Sequence, residues 1–494
     1  MTRRMAYAIG ILALMLGMGC MKRSPTPSIP DEKVVDLAAW VPEEMEGFVV
    51  VSSLEAVKAS AEEVKLRSSW EPLRKVLETL QEKVKEGRGL DLFDLSMWQG
   101  MGIHTQAPLM LASNMRKEPM LFAVPVSDEA LFLAAFEKHF LSQGEWEAQP
   151  DMPQGLRAWK MGSGDFVVWA QKPGYALILV GDDLEVLQKT TQLAAEKSWA
   201  KHKEMLSKIS SRLSAERVLS LWVRPNENRS EEVEWVGLAF GMQPRMKVVV
   251  DVTWRQGEEA LVPAMKTALF KPKQWPQGLG DAVLGIWSSA TWDWYTELLQ
   301  HRFIVRMLGS VEDDKLDIWK QHFESPVLLR GWMQTTAAED EDDEDSSEFH
   351  WSLDVLLKEG KRVEQSLSAL ASLLVEDEVA VVQADSKVPV WQAQVGEQKL
   401  LAQDLGKGRA YIADSLHDYE PKASNVLQKA VMKEMVKFPV AAVFHLNGLM
   451  KDPFFRSILG KRPLEKAEYV LFGLRTGEGH AQLVGEHFVE TDFK

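Results

Sequence analysis

Hydrophobic and polar residues along this chain alternate in short segments that are bounded by turn residues. Short apolar runs of this kind predict strands. In the first half they occupy residues 48–53, 107–112, 120–126, 174–180 and 218–223. Apolar residues spaced three and four apart predict helices, among them residues 54–67 and a helix that begins at Asp128. Strands paired through hairpins, with helices between groups of strands, indicate an α+β fold built on antiparallel sheets.

The second half of the chain repeats this order of elements, which indicates an internal duplication. The matched segments are 48–53 with 282–289, 107–111 with 325–329, 120–126 with 351–357, the Trp159 hairpin with 391–401, 174–179 with 408–413, 218–224 with 439–446, and 247–258 with 469–478. The separation between matched segments grows from 218 to about 231 residues across the interval that holds an acidic run. We therefore expect two homologous domains, each an antiparallel sheet with packed helices.

The predicted boundaries follow changes in composition. Domain 1 is expected over residues 36–268, and domain 2 over residues 281–494 with an acidic loop at 339–348. Residues 269–280 are rich in turn residues and form the predicted linker. Residues 20–35 contain three prolines and are expected to form a flexible tether.

The N-terminus has a pattern of its own. Arg3 and Arg4 precede an uncharged apolar run of 14 residues, 6–19. That run is shorter than the roughly 20 residues that a membrane-crossing helix needs. A basic start, a short apolar core and a small residue before a cleavage point are typical of a secretory signal. Residues 1–19 are therefore the predicted signal peptide, and Cys20, the chain's single cysteine, follows it directly.

The segment Leu16-Gly17-Met18-Gly19-Cys20 resembles the lipobox of bacterial lipoproteins, with Gly17 where most members have leucine. In that family the cysteine thiol receives a diacylglyceryl group, the signal is cut before it, and its new amine is acylated. The resemblance therefore implies lipidation of Cys20, and two or more acyl chains anchor a protein stably. An uncleaved membrane anchor and an ordinary signal with an incidental cysteine are the alternatives.

The same resemblance bears on location. Aspartate directly after the lipidated cysteine commonly marks retention in the inner membrane, and here that position holds Met21. The expected location is therefore the cell envelope of a bacterium, on the periplasmic side of the outer membrane. The body also resembles, diffusely, a group of uncharacterised bacterial envelope proteins built from a domain of unknown function, which implies a fold and no activity.

Composition and charge restrict the partners. The 494 residues are 46% hydrophobic and 26% charged, as in an ordinary globular protein. The net charge is −15, and eight acidic residues lie between 339 and 348. A basic footprint is missing, which argues against nucleic acid. The predicted partners are the membrane, through the lipid anchor, and an envelope protein.

The sequence contains no recognisable catalytic, cofactor or metal motif. Ser163 lacks the first glycine of a nucleophile elbow and stands in a predicted hairpin. The densest group of potential metal ligands is His480, Glu486 and His487, for which we predict a solvated edge strand instead. The acidic run is predicted to be a solvated loop, with weak calcium binding or docking to a basic partner as alternatives. We therefore expect no cofactor and no catalytic residue.

Tryptophan outnumbers tyrosine 18 to 6. Trp287, Trp292 and Trp294 lie close together in sequence and are candidates for a ligand-binding surface, with core filling as the alternative. The sequence favours a lipid-anchored envelope protein with a non-catalytic binding or scaffolding role. The alternatives are an exported hydrolase with a site assembled from distant residues, and a carrier of an apolar or glycan ligand between the domains.

Overall fold

The protein was analysed as a computed structural model. It describes residues 31–65, 78–79, 81–82, 84–86, 89–91, 93–114, 117–141, 146–150, 152–213, 217–225, 233–241, 245–255, 279, 282–300, 313–336, 346–375, 379–384, 389–414, 426–450, 467–477 and 479–489. The signal peptide, Cys20, nearly all of the predicted linker and acidic residues 339–345 lie outside the described residues. The prediction of a loop is wrong for residues 346–348, which begin a strand paired with residues 334–336.

Contacts divide the chain into two compact units, residues 1–255 (unit 1) and 256–494 (unit 2). This division falls ahead of the linker predicted at residues 269–280. At the start of unit 1, helix α1 (Asp31–Ala38) buries Val34 and Leu37. The prediction of a flexible tether up to residue 35 is therefore wrong for residues 31–35, because their apolar side chains pack in a helix.

Unit 1 has ten strands among its described residues. They are β1 (Gly47–Val51), β2 (Leu109–Asn114), β3 (Lys117–Pro125), β4 (Trp146–Ala148), β5 (Leu156–Met161), β6 (Phe166–Lys172), β7 (Tyr175–Gly181), β8 (Leu219–Val223), β9 (Val233–Gly241) and β10 (Met246–Trp254). Their order in the sheet is β10–β9–β8–β1–β2–β3–β7–β6–β5–β4, and every neighbouring pair is antiparallel.

Further helices among the described residues of unit 1 connect these strands. They are α2 (Leu54–Lys65), α3 (Leu95–Gly100), α4 (Glu129–Phe136), α5 (Leu184–Thr191) and α6 (Lys203–Arg212). The predicted start at Asp128 is confirmed, since its carboxylate accepts a hydrogen bond from the Leu131 N–H at 3.0 Å. Asp183 begins α5 in the same way, accepting from Glu185 and Val186. Such side-chain oxygens satisfy backbone donors that the first helical turn leaves open.

Unit 2 also has ten strands among its described residues. They are β11 (Leu284–Ser288), β12 (Phe323–Thr336), β13 (Ser346–Leu357), β14 (Val381–Ala384), β15 (Val390–Val395), β16 (Gln398–Gly406), β17 (Arg409–Ala413), β18 (Val440–His445), β19 (Glu468–Gly477) and β20 (His480–Val489). The helices are α7 (Trp292–Gln300), α8 (Asp313–His322), α9 (Val363–Val375), α10 (Val426–Met435) and α11 (Leu446–Leu449).

The strand order of unit 2 is β20–β19–β18–β11–β12–β13–β17–β16–β15–β14, again antiparallel throughout. Each strand of unit 1 thus has a counterpart ten numbers higher at the same place in the order. The predicted class, antiparallel sheets with packed helices, is confirmed in this form. One predicted match is wrong: residues 469–478 form β19 and correspond to β9, whereas residues 247–258 contain β10, whose counterpart is β20.

The helix after the third strand of each unit covers the same part of the sheet. In unit 1, α4 contributes Phe132 and Phe136 to a buried cluster with Trp159, Trp169 and Ile178. In unit 2, α9 contributes apolar side chains to a cluster with residues of β13, β15, β16 and β17. Burial of this apolar surface is the main term that holds helix and sheet together.

Candidate functional site

The sheet face beside the first strand is covered differently in the two units. In unit 1 it is covered by α2, which places Ala56, Val57 and Ala61 in a buried cluster. The sheet residues of that cluster come from β1, the start of β8, β9 and β10, and are Val49, Val51, Val218, Leu219, Phe240 and Met246. Leu238 and Val248 are partly buried against it. Unit 1 therefore buries this face with its own helix.

The counterpart of α2 in unit 2 is α7, which follows the first strand of that unit. Its Trp292 packs against the α9 cluster instead. The Trp292 indole Nε1 donates a hydrogen bond to the Phe323 carbonyl oxygen at 2.9 Å, and its ring lies 5.6 Å from that of Trp319. The start of α7 is thus held by the α9 cluster.

The register of the strands identifies the matching face in unit 2. In unit 1, Leu238 is paired with Leu221 on one side and with Val250 on the other. Phe472 has the same place in unit 2, between Ala442 and Gly485. Val248 lies opposite Phe240, as Leu483 lies opposite Leu474. Phe472 is 41% exposed and Leu483 is 45% exposed. The positions that pack against the α2 cluster in unit 1 are therefore exposed in unit 2.

These two residues belong to a row of apolar side chains on one face of the unit 2 sheet. We call it the apolar stripe and define it as Phe349, Leu284, Phe444, Phe472 and Leu483. Leu284 is paired with Gly331 on one side and Phe444 on the other, and the Phe349 ring lies directly over Gly331. The Phe444 and Phe472 rings meet edge to face at 6.1 Å.

The exposure of the stripe has an energetic consequence. Phe349 at one end of the stripe is 50% exposed, so Phe349, Phe472 and Leu483 all have exposed side chains. Full burial of a Phe or Leu side chain stabilises by roughly 1.5–3 kcal/mol. Scattered exposed apolar residues are ordinary, whereas a contiguous row of them is typical of an interaction surface.

The opposite face of the unit 2 sheet carries a buried polar network. The Asp354 carboxylate is fully buried and forms ion pairs with Arg330 through Oδ2 and with Arg409 through Oδ1, the latter at 3.0 Å. Tyr411 lies opposite Asp354 in the register, and burial raises the pKa of its hydroxyl. His350 Nδ1 lies 3.4 Å from Asp414 Oδ2 nearby in the same strands. This network links β12, β13 and β17.

The counterparts of this network in unit 1 are mostly apolar. The positions of Arg330, Asp354 and Arg409 correspond in register to Ala112, Ala123 and Tyr175. The Tyr175 hydroxyl donates to the Pro108 carbonyl at 3.1 Å, and burial raises its pKa to about 12. The polar network is therefore a feature of unit 2 and is not needed to form the sheet.

Unit 1 has a charged cluster in a different place. The Glu43 carboxylate pairs with Lys201, with Arg224 at 3.3 Å and with His202 at 3.7 Å. The hydrogen bond from Lys201 lowers the pKa of Glu43. Desolvation, reinforced by the charge of Arg224, lowers the pKa of His202. These side chains are partly exposed, so their ion pairs contribute little to the free energy of unfolding. The cluster connects the segment before β1 to the segment before α6.

The histidine group that the sequence placed on a solvated edge strand is buried instead. His487 Nε2 lies 2.9 Å from Glu468 Oε2, and both residues are 1% exposed. Glu486 is also buried. The solvated-strand prediction is therefore wrong for Glu486 and His487. In the hairpin that joins β19 and β20, Val470 is paired with His487 and Glu468 with Val489, so Glu468 reaches His487 diagonally across the two strands.

The tryptophan candidates fall in the core. Trp287 and Trp294 are completely buried, and Trp292 is partly buried in the α9 cluster. Neither Trp287 nor Trp294 presents a ring to solvent, as stacking on a sugar at the surface requires. Cys20 lies outside the described residues. The exposed residues of the apolar stripe were not predicted, because single Phe and Leu residues in a strand pattern do not reveal which face is covered.

Within the described part of the chain, no three His, Cys, Asp or Glu side chains are grouped to hold a metal ion. The described helices include none with the length and hydropathy of a membrane span. No protein-family model and no curated protein match the chain. A solved structure described as "Structure of crystal form IV of TP0453" is similar at 8% identity and a TM-score of 0.26, covering 44% of this chain and 79% of that one.

Proposed function

We propose that the protein is a lipid-anchored protein of the bacterial cell envelope that acts by binding another molecule through the apolar stripe of unit 2. The observation that carries the binding role is the exposure of Phe472 and Leu483 at positions where unit 1 packs its own helix. A surface of this kind gains free energy when it is covered. We place the protein on the periplasmic side of the outer membrane.

The anchor rests on the sequence around Cys20. Cys20 and Asp31, the first described residue, are 11 positions apart. A fully extended segment of that length spans at most about 40 Å. Lipidation at Cys20 thus keeps the body close to the membrane while leaving room for a partner beside it.

We also infer that the two units are homologous domains produced by an internal duplication. The identical order of ten antiparallel strands and the matched sequence segments support this. After duplication the units diverged on both faces of the sheet. A copy that no longer covers its own face is free to use it for binding.

A non-catalytic role agrees with how the ionisable groups of unit 2 are used. Asp354 is fully buried between two guanidinium groups, and His487 is buried against Glu468. A general acid or base must reach a proton of the substrate. Side chains held in buried pairs of this kind stabilise or orient the sheet.

The anchor is tested by feeding the native cells an alkyne-labelled fatty acid and fractionating their envelopes. Wild-type protein is expected to carry the label and to sediment with membranes, whereas Cys20→Ser loses both properties. Cys20→Ala also removes the thiol and is expected to give the same loss, which shows that the effect does not come from the serine hydroxyl. An unlabelled wild-type protein, together with a Cys20→Ser variant that stays in the membrane fraction, contradicts the anchor.

A further inference from the structure

We infer that the occupant of the apolar stripe is an amphipathic α-helix of a partner protein, placed on unit 2 as α2 is placed on unit 1. This inference rests on the proposed binding role of the stripe and adds the kind of partner. The fold itself supplies the template, because the same sheet positions in unit 1 are covered by a helix.

The template defines the chemistry of the partner. In α2 the buried residues Ala56, Val57, Ser60 and Ala61 lie at helical spacing on one face, while Ala59 is exposed. Small side chains let a helix backbone approach a sheet closely. A helix with such a face, and polar residues on the other, is therefore the occupant that this surface fits.

The residues of the stripe favour a helix over an added strand. Phe472 and Leu483 project from the face of the sheet, so a partner meets side chains and not the backbone groups of a strand edge. Grooves and faces with aromatic anchors bind the apolar side of a helix in this way. The Phe472 ring, at an edge-to-face distance from Phe444, is the expected anchor.

The length of the stripe sets the length of the partner helix. From β13 to β20 the stripe crosses six strands through β12, β11, β18 and β19. Five spacings of about 4.8 Å give roughly 24 Å. A helix of about 16 residues covers that distance.

Photo-crosslinking in the native envelope tests the inference. The full chain carries p-benzoylphenylalanine at position 472 or, in a second variant, at 483. We expect adducts with one partner protein, at residues that recur every three and four positions along a helix. Phe472→Ser is expected to weaken capture of that partner by about 30-fold, the loss typical of an anchor residue.

Matched controls come from unit 1 and from an exposed site elsewhere. The probe at Leu238 or Val248 is expected to link within the chain to α2, which also verifies that the variant is folded. The probe at Val426, which is 68% exposed on α10, is expected to give no partner adduct. Adducts at 472 equal in amount to those at 426 contradict a specific site.

Other outcomes overturn the inference. Adducts only with a second copy of this chain, only with lipid, or only with an extended strand each exclude a partner helix. The fate of the anchor is separate: an unacylated chain that still crosslinks to a helix at 472 contradicts the anchor and supports this inference. An acylated chain without protein adducts at 472 and 483 supports the anchor and overturns the inference.

Discussion

The two units place different residues at one and the same position of the sheet. Ala123 lies between Met110 and Leu177 in unit 1, whereas Asp354 lies between Leu328 and Tyr411 in unit 2. Ala123 packs among apolar neighbours, and Asp354 holds two guanidinium groups. Replacing a buried ion pair by apolar residues is often neutral or stabilising. The strand order therefore does not depend on the polar network.

The face of the sheet that carries the apolar stripe differs in how far its side chains are exposed. In unit 1 Leu238 and Val248 are partly buried against the α2 cluster, whereas unit 2 exposes Phe472 and Leu483. One unit thus uses the face for its own stability and the other leaves it open. This difference shows that the same strand order accommodates a change in which side chains are exposed.

The largest effect is expected at the centre of the polar network. Asp354→Ala removes the carboxylate that pairs with buried Arg330 and with partly exposed Arg409, and we expect unit 2 to lose about 3–5 kcal/mol of its free energy of unfolding. The triple variant Arg330→Ala, Asp354→Ala, Arg409→Tyr places the unit 1 residues at these three positions and removes the charges together, so it is expected to be more stable than Asp354→Ala alone. Denaturant unfolding measures both. A triple variant as unstable as the single one contradicts the comparison.

A matched pair of core substitutions tests the difference in cover. Phe240 is 7% exposed under α2, and Phe240→Ala is expected to cost about 3 kcal/mol because it leaves a cavity. Its counterpart Leu474 is partly buried, so Leu474→Ala is expected to cost about 1 kcal/mol. Thermal and chemical unfolding of the two variants give the ratio of their losses in free energy of unfolding. Equal losses mean that the two faces are equally covered.

A polar substitution on each face sharpens the same point. Leu238→Ser is expected to destabilise unit 1 by about 1–2 kcal/mol, since it removes apolar contact with the α2 cluster. Phe472→Ser is expected to change the stability of the purified protein by less than about 0.5 kcal/mol. A large loss from Phe472→Ser shows that the chain itself buries this residue.

The smallest effect concerns the charged cluster of unit 1. The pKa of Glu43 is lowered by Lys201, so its contribution is present above the ordinary value of 4.5 and is lost as pH falls through the folded pKa. The pKa of His202 is lowered by desolvation, so protonation also costs stability as pH falls below 6.5. Both changes reduce stability towards acid.

Glu43→Gln is expected to cost less than about 1 kcal/mol at pH 7, because the carboxylate is partly exposed. The difference from wild type is expected to vanish at a pH below the Glu43 pKa. Unfolding curves across the acidic range measure this. A difference that grows towards acid contradicts the assigned sign, and Glu44→Gln at the neighbouring exposed position is the control.

Much of the fold was predictable from the chain because turns and apolar runs are local signals. The strand around Val50, the helix that begins at Asp128 and the hairpin at Trp159 follow from neighbouring residues alone. The matched segments, apart from 247–258 with 469–478, occupy the same places in the two strand orders, so the repeated pattern of signals indicated which strands correspond.

The candidate site was not predictable, because it depends on which face of a strand is covered. Phe472 and Leu238 look alike in a pattern of alternating residues, and a helix far away in sequence decides their exposure. The contact between Glu468 and His487 and the pairing of Arg330 with Asp354 depend on register across hairpins. The burial of Trp287 and Trp294 likewise depends on tertiary packing.

The central claim is that the apolar stripe is open in the protein alone and covered in the cell envelope. Carbene footprinting measures this directly, by labelling purified protein and intact envelopes and quantifying modification residue by residue. We expect Phe472 and Leu483 to be labelled in the purified protein and protected in envelopes, with Leu238 and Val248 protected in both. Phe472 protected in the purified protein, or labelled equally in both samples, contradicts the claim.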